Sequence, residues 1–488
     1  MTDEMNHSEE RAQAWRLALR EALKAKERSA IPRVRMPELA PDYRSHNKEE
    51  VNLGLSVEQA TKEAQRCLDC AHPSCMDGCP VGIHIPKFIK QIEKGDYLSA
   101  AKTLKATSAL PAVCGRVCPQ EKQCEARCIH LKMKKEAVAI GYLERFAADY
   151  ERESGNISLP DIAPSNGTKI AVVGSGPAGL SFAGEMAKRG YRVTVFEALH
   201  EIGGVLKYGI PEFRLPNSIV DIEIDNLRAI GVEFINNCIV GKTITIDDLK
   251  EDGYKGIFVG SGAGLPRFMN IKGENLVGVM SANEYLTRVN LMDAAADDSD
   301  TPVLRGKNVA IIGGGNTAMD SVRTAKRLGA ERAMIVYRRS EEEMPARLEE
   351  VKHAKEEGIE FMTLRNPVEY RGNESGRVTQ MLLQVMVLGE PDRSGRRSPV
   401  PLEGKTEWID VDEVIVSVGV SPNPLVPQSI QGLEVSKWGT VVVHQETMQS
   451  AVPMIFAGGD IVRGGATVIL AMGDGRKAAR AMDEWLCE

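Results

Sequence analysis

The sequence predicts an α/β protein with a helical N-terminal third, followed by two nested units of strand, glycine turn, helix and strand. Three observations carry this reading. Eight of the ten cysteines fall between Cys67 and Cys128, among segments whose apolar residues recur every three to four positions. Residues 169–198 read KIAVVGSGPAGLSFAGEMAKRGYRVTVFEA, an apolar strand, a glycine turn, a helix and a second strand. Residues 307–340 repeat the plan as KNVAIIGGGNTAMDSVRTAKRLGAERAMIVYRRS.

A chain of 488 residues is long enough for about three domains. Its 43% hydrophobic and 26% charged residues are ordinary for globular proteins. A net charge of -7 gives no electrostatic footprint for a nucleic acid partner. No apolar run approaches the roughly 20 residues that a membrane-spanning helix needs. The N-terminal MTDEMNHSEERAQAW is polar and lacks the apolar stretch of a secretory signal, so a cytoplasmic, membrane-free protein is expected.

The cysteines form two runs, CLDCAHPSCMDGCP and CGRVCPQEKQCEARC. Two, four and three residues separate Cys67, Cys70, Cys75 and Cys79; three, five and three separate Cys114, Cys118, Cys124 and Cys128. Such spacings let short loops aim several thiolates at one point, and the prolines after Cys79 and Cys118 turn the chain away. A disulfide framework would require an oxidising compartment, against the polar N-terminus. Zinc is the nearer alternative, but four-cysteine zinc sites usually carry two CxxC pairs, and here only Cys67 and Cys70 form one. Ligand type and spacing favour iron-sulfur clusters.

Around them the chain reads as helical. RAQAWRLALREALKAKE leads into the Pro-containing RVRMPELAPDYR, and IPKFIKQIEKGDYLSAAKTLKAT and KKEAVAIGYLERFAADYERE have helical periodicity. ESGNISLPDIAPSNGTK, residues 153–169, is rich in Ser, Asn, Gly and Pro and reads as a linker, which bounds the cysteine domain at residues 1–152.

In the first glycine unit, Gly174, Gly176 and Gly179 supply the tight turn, the close approach of backbone to a pyrophosphate and the close packing of helix on strand, with Pro177 and Ala178 opening the helix. Glu197 ends the second strand, 18 residues beyond Gly179, where a carboxylate can accept hydrogen bonds from ribose hydroxyls. In the second unit Gly313, Gly315 and Ala318 take the small-residue positions, with Asn316 and Thr317 at the helix start. Its strand ends in Arg338 and Arg339, and a guanidinium fork there suits the 2′-phosphate of NADP. The C-terminal MIFAGGDIVRGGATVILAMGDGRKAARAM adds Gly459 and Asp460 after a strand and Thr467 at the start of a helix whose dipole can face a flavin ring. Two dinucleotide folds, the second inserted in the first, fit a flavin and nicotinamide enzyme. FAD would occupy residues 165–305 with 440–488, and NADP residues 306–439. The glycine-rich loop at residues 201–216, EIGGVLKYGIPEFRLP, adds Gly204 and offers Lys207 as a partner for the flavin. No catalytic side chain is assigned, since hydride chemistry needs stacking and exclusion of water rather than an acid–base pair. A dithiol relay is excluded by the lack of a CxxC outside the cluster region, where only Cys238 and Cys487 remain.

CLDCAHPSCMDGCPVGIHIP, GRVCPQEKQCEARC, GSGPAGL, GGGNTAMD, VYRRS and FAGGD, in this order, resemble the small (beta) subunit of NADPH-dependent glutamate synthase and its relatives. Those relatives include the N-terminal half of dihydropyrimidine dehydrogenase, the large subunit of the bifurcating NADH-dependent ferredoxin:NADP oxidoreductase, and a sulfide dehydrogenase subunit. The resemblance covers nearly the whole chain. It implies an N-terminal α-helical iron-sulfur domain followed by two nested Rossmann-like dinucleotide-binding domains. It also implies two 4Fe-4S clusters with interleaved ligands: Cys67, Cys70, Cys75 and Cys128 for one, and Cys79, Cys118, Cys124 and Glu144 for the other. Cys114 is then left as a structural thiol. The function implied first is that of the glutamate synthase (NADPH) small subunit, which oxidises NADPH at FAD and passes electrons through its clusters to a larger catalytic subunit that makes glutamate from 2-oxoglutarate and glutamine. The alternative is a bifurcating oxidoreductase or sulfide dehydrogenase subunit serving another electron-accepting protein. Either way the expected state is a hetero-oligomer.

Overall fold

The computed structural model describes residues 2–488, with side chains from His7 onward. The N-terminal domain is built on four helices, Ile85–Lys94, Tyr97–Lys105, Pro111–Val117 and Ile140–Ser154. In the first of these, Ile85, Phe88, Ile89 and Ile92 are buried at the spacing of one helical face. Gly95, with φ 86°, ends that helix in the left-handed region, and the Asp96 side chain caps the next by accepting from Ser99 N. Pro111–Val117 and Ile140–Ser154 cross closely because Gly115 has no side chain; a Cβ there would lie 2.5 Å from Arg145 N. The cysteine loops precede Ile85–Lys94 and link Pro111–Val117 to Ile140–Ser154, with short 3-10 turns at Met76–Gly78, Gln120–Lys122 and Glu125–Arg127.

The first dinucleotide unit is a five-stranded parallel sheet in the order Ile455–Ala457, Tyr254–Val259, Lys169–Val173, Arg192–Phe196, Glu233–Ile235. Its central strands are apolar on both faces because helices cover both. Pro177–Lys188 and Val468–Cys487 pack together on one side, where a Cβ at Gly475 would meet Phe182 N at 3.0 Å. The second unit is another five-stranded sheet, ordered Val279–Ser281, Glu413–Val416, Asn308–Ile312, Arg332–Tyr337, Glu360–Thr363. A three-stranded antiparallel sheet, Arg365–Gly372, Val378–Pro391 and Arg397–Asp410, covers it by packing Tyr370, Met381 and Leu383 on Ile312, Met334 and Val414. The short pair Leu265–Pro266 and Val420–Ser421 joins the two units. Among the described residues no helix is long and apolar enough to cross a membrane.

The nesting follows the expectation, but the boundaries at 305/306 and 439/440 do not. Val279–Ser281 pairs with Glu413–Val416 in the second sheet, and Tyr285 and Leu286 of the following helix pack on Met319 and Val322 in its core. The second unit therefore begins before residue 279. The chain re-enters the first unit soon after Ser421, since Val426, Ile430 and Val441 share a core with Ile246, Val259 and Ala457. Between Ser154 and Lys169 the chain carries no helix or strand.

A chain of buried ion pairs joins all three parts. Arg44 reaches Glu356 at 2.5 Å and Glu357 at 3.1 Å, Arg323 pairs with Glu350 and with Glu357 at 2.8 Å, and Arg327 meets Glu357 at 2.7 Å. Arg214 of the first unit meets Asp320 at 2.7 Å and Glu350 at 3.1 Å. Burial raises the Glu357 pKa, but Arg327 and Arg323 outweigh it and bring the carboxyl to about 2. That stabilisation is complete above the unfolded value of about 4.3 and is lost as pH falls through it toward 2. Glu357→Ala takes a carboxylate from three arginines, leaving Arg327 without a charged partner, and is predicted to cost about 3–5 kcal/mol in denaturant unfolding, with a shallower loss of stability between about pH 4.3 and 2 than the unaltered chain. An unchanged acid limb would contradict the assignment.

Candidate electron-transfer site

The first glycine turn has the geometry of a phosphate cradle. Gly174 has φ 98°, and a Cβ on Gly176 would meet nothing within 4 Å, so the backbone there is open to a ligand. Gly179 has no such room: a Cβ would fall on Gly174 O. Pro177 and Ala178 begin the helix, with Gly176 as its cap. Glu197 lies beneath the turn, and its Oε2 accepts from Ser175 N at 2.9 Å and Ser175 Oγ at 2.6 Å, while Oε1 accepts from Leu199 N at 2.9 Å. Ser175 Oγ also accepts from Gly203 N at 2.9 Å, which brings the 201–216 loop against the turn; a Cβ on Gly204 would lie 2.9 Å from Gly176 Cα. Ser175 was not among the residues picked out by sequence.

The same loop gives Lys207 partners other than a flavin. Its ammonium is paired with Glu201 at 2.9 Å and Asp221 at 2.5 Å. Its neighbour Tyr208, also missed, does face the acids of the site: burial, then the charges of Asp460 and Glu197, push its hydroxyl up to about 12. Gly459, at φ 77°, donates its N–H to Asp474 Oδ2 at 3.0 Å. Asp460 Oδ1 accepts from Ala466 N at 3.0 Å, and burial reinforced by Asp474 pushes its carboxyl up to about 6. Thr467 caps the helix Val468–Cys487, accepting from Leu470 N at 3.4 Å.

Thiols from the two runs lie within reach of one another's charge. Cys75 is pushed up by burial and then by its neighbours Cys67, Cys128 and Cys70. Cys79, Cys118 and Cys124 each feel Glu144, and Cys118 also feels Cys114 and Cys124. Burial is the largest cause at Cys79, whose thiol reaches about 11. Glu144 is buried, its Oε1 has no hydrogen-bond partner, and burial together with Glu223 pushes its carboxyl up to about 8. An orphaned carboxylate in a closed interior is costly, and binding a cationic centre is the condition under which it and the crowded thiols can all ionise. This crowding of thiols beside a buried carboxylate fits iron-sulfur chemistry.

The cysteine domain touches the flavin side directly. Cys114 Sγ lies 3.5 Å from Met472 Sδ on the helix Val468–Cys487, and Ser181 Oγ of the first-turn helix donates to Met472 O at 3.0 Å. A Cβ on Gly473 would lie 2.9 Å from Pro80 O, next to Cys79. Arg476 Nη1 closes the seam, donating to Val81 O at 2.8 Å and Thr107 O at 2.7 Å.

In the second unit a Cβ on Gly313, at φ 144°, would fall on Ser417 O, and Gly315 caps the helix Asn316–Arg327. Asn316 Oδ1 accepts from Arg347 N at 2.9 Å, and Thr317 O accepts from Ser321 Oγ at 2.8 Å. The expected fork is divided. Arg338 is exposed at the strand end, whereas Arg339 is buried and paired with Asp392 at 2.5 Å, across from the hairpin tip.

The two FAD-turn glycines separate folding from binding. Gly176→Ala meets open space and is predicted to leave the unfolding midpoint unchanged while lowering bound flavin per chain; Gly179→Ala collides with Gly174 O and is predicted to lower the midpoint itself. Normal flavin content in a folded Gly176→Ala protein would refute the cradle.

Residues 44–156 match the model of the dihydropyrimidine dehydrogenase domain II, 4Fe-4S cluster, and residues 168–475 that of the pyridine nucleotide-disulphide oxidoreductases. The oxidoreductase AegA of Escherichia coli (strain K12) is 38% identical over 459 residues, covering 92% of this chain and 69% of that protein. The glutamate synthase [NADPH] small chain of the same organism is 36% identical over 445 residues, covering 90% and 93%. FprA of Mycobacterium tuberculosis, solved in complex with NADPH, shares the fold at TM-score 0.55 and 20% identity over 66% of this chain and 85% of its own. With the open glycine turns and clustered thiols, these matches identify the chain as a member of the pyridine nucleotide-disulphide oxidoreductases, of the glutamate synthase small-chain type, a NADP-dependent flavin and iron-sulfur oxidoreductase.

Proposed function

We propose that the chain is the small subunit of a glutamate synthase (NADPH): it oxidises NADPH at FAD and passes electrons through two 4Fe-4S clusters to a partner subunit that makes glutamate from 2-oxoglutarate and glutamine. The observation that carries this is the seam at Cys114, Met472, Pro80 and Gly473, where the cysteine loops and the helix of the flavin unit are in contact. When bound, FAD supplies the exchange between a two-electron hydride and single electrons, and the clusters carry single electrons.

The chain's own residues bind and orient. Gly174 and Gly176 would receive the FAD pyrophosphate, with Gly179 packing the helix closely on the turn and Glu197 and Ser175 holding the turn in shape. The N-terminus of Val468–Cys487 and Asp460 would hold the rest of that cofactor. Gly313, Gly315, Asn316 and Thr317 receive the NADPH pyrophosphate, and Arg338, free at the strand end, takes the 2′-phosphate. Arg339, held by Asp392, instead fixes the hairpin beside it. Cys67, Cys70, Cys75 and Cys128 hold one cluster; Cys79, Cys118, Cys124 and Glu144 hold the other.

Anaerobic purification from the native host tests the assignment. Roughly eight irons per flavin and a co-purifying large subunit that forms glutamate support it; zinc without iron, or a partner that reduces ferredoxin and forms no glutamate, overturns it. Arg338→Ser is predicted to raise the KM for NADPH by about 10- to 100-fold, the value of one charge-assisted phosphate contact, and to leave NADH nearly unchanged. Equal losses for both nucleotides would reject Arg338 as the phosphate ligand.

A further inference from the structure

The glycine turn of the second unit rests on the segment 344–348. Ala346 N donates to Gly314 O at 3.2 Å, Arg347 N donates to Asn316 Oδ1 at 2.9 Å, and Pro345 Cγ lies 4.0 Å from where a Cβ on Gly315 would stand. The far side of the same segment is gripped by residues 116–122 of the cysteine domain. Arg347 Nη1 donates to Arg116 O at 2.7 Å and Nη2 to Gln120 Oε1 at 3.3 Å. Lys122 Nζ donates to the carbonyls of Pro345 at 2.8 Å and Ala346 at 3.1 Å, and Leu348 N donates to Glu121 Oε1 at 3.3 Å.

Those gripping residues flank Cys118. Gln120, itself buried, donates from Nε2 to Cys114 O at 3.2 Å and fills the volume that a side chain on Gly141 would need. Gly141 lies one helical turn before Glu144. Arg347 thus reaches both sides: its main-chain N–H holds the Asn316 side chain at the nucleotide turn, and its buried guanidinium holds the backbone around the Cys79, Cys118, Cys124 and Glu144 shell through Arg116 and Gln120.

We infer that Arg347 is a positioning residue that couples occupancy of the NADP turn to the ligand shell of the second cluster. The inference rests on the reading of Gly313–Thr317 as the NADP site. Its physical basis is the rigid fork of arginine: Nη1 and Nη2 fix it on Arg116 O and Gln120, and its own N–H holds the Asn316 side chain at the head of the nucleotide helix. A shift of the turn on nucleotide binding must move or strain this fork. By linkage, a change in the shell must alter nucleotide affinity by the same factor.

The test uses the holoprotein with unaltered sequence and three variants, Arg347→Ala, Arg347→Lys and Lys122→Ala. Two readouts are taken: the NADP+ dissociation constant by equilibrium dialysis, and the EPR spectrum of the dithionite-reduced clusters with and without NADP+. In the unaltered protein NADP+ is expected to shift the signal of one cluster and not the other. Arg347→Ala is expected to weaken NADP+ roughly tenfold or more and to abolish the shift, since two buried acceptors lose their charged donor. Arg347→Lys, which can reach one acceptor, is expected to recover part of both. Lys122→Ala changes an exposed side chain that leaves the fold intact, and is expected to weaken NADP+ about threefold with a smaller shift. Unaltered affinity and an unaltered shift in folded Arg347→Ala or Lys122→Ala overturn the coupling. Failure of the unaltered protein to bind NADP+ would instead remove the nucleotide-site reading on which the coupling rests.

Discussion

The packing of the helix Val468–Cys487 between the first glycine-turn helix and the cysteine loops is the constraint on which the rest of the architecture depends. Two glycines make it possible. Gly473 admits the backbone of Pro80 on one face, and Gly475 admits the backbone of Ala178 and Phe182 on the other. Each costs about 1 kcal/mol of helix propensity relative to alanine, and side chains at either position would push apart the two elements that carry the cofactor sites. Met472 lies between them, its carbonyl held by Ser181 and its sulfur against Cys114. The helix of the first dinucleotide unit is thereby packed directly on the cysteine loops.

Charge pairs set the third part in place. Domains joined by a linker generally move relative to one another unless a large interface prevents it. Here Arg44, Arg116 and Lys122 of the N-terminal domain meet groups in other parts of the chain or anchor the loops that do, and Glu350 and Glu357 gather arginines from two segments each. Buried pairs of this kind contribute little net stability compared with apolar packing, yet removing one partner is severe. Their effect is therefore to select one arrangement of the parts. A fixed arrangement suits the proposed function, in which nucleotide, flavin and metal would each be held by a different part of the chain.

What was legible in the sequence was whatever the backbone dictates. The glycine turns could be located because Gly174, Gly179 and Gly313 occupy conformations or spaces closed to other residues, and the nesting because two such turns precede one C-terminal FAGGD segment. The ends of the inserted unit were illegible: Val279–Ser281 is a three-residue edge strand with no turn motif, and its sheet membership is decided by pairing with residues more than a hundred positions later. Side-chain roles were read less well. Lys207 and Arg339 have the right chemistry for a cofactor, but Asp221 and Asp392, distant in sequence, engage them first. Ser175 and Tyr208 carried no signal because a serine in a turn and a tyrosine beside glycines are common. Glu144 entered only through the family resemblance. Its neighbours Ile140, Leu143 and Ala147 do mark an apolar helical face, and an acid on such a face is the pattern that would have singled it out.

Metal held by the cysteines would adjoin the flavin through the Cys114–Met472 layer. Anomalous diffraction at the iron edge, from crystals of the holoprotein grown without oxygen, tests it most directly. The account predicts two iron centres, one of them inside the Cys79, Cys118, Cys124 and Glu144 shell with only Cys114 and the first turns of Val468–Cys487 between it and the isoalloxazine. A zinc edge in place of iron, or iron centres both lying on the side of the cysteine domain away from that helix, would contradict it.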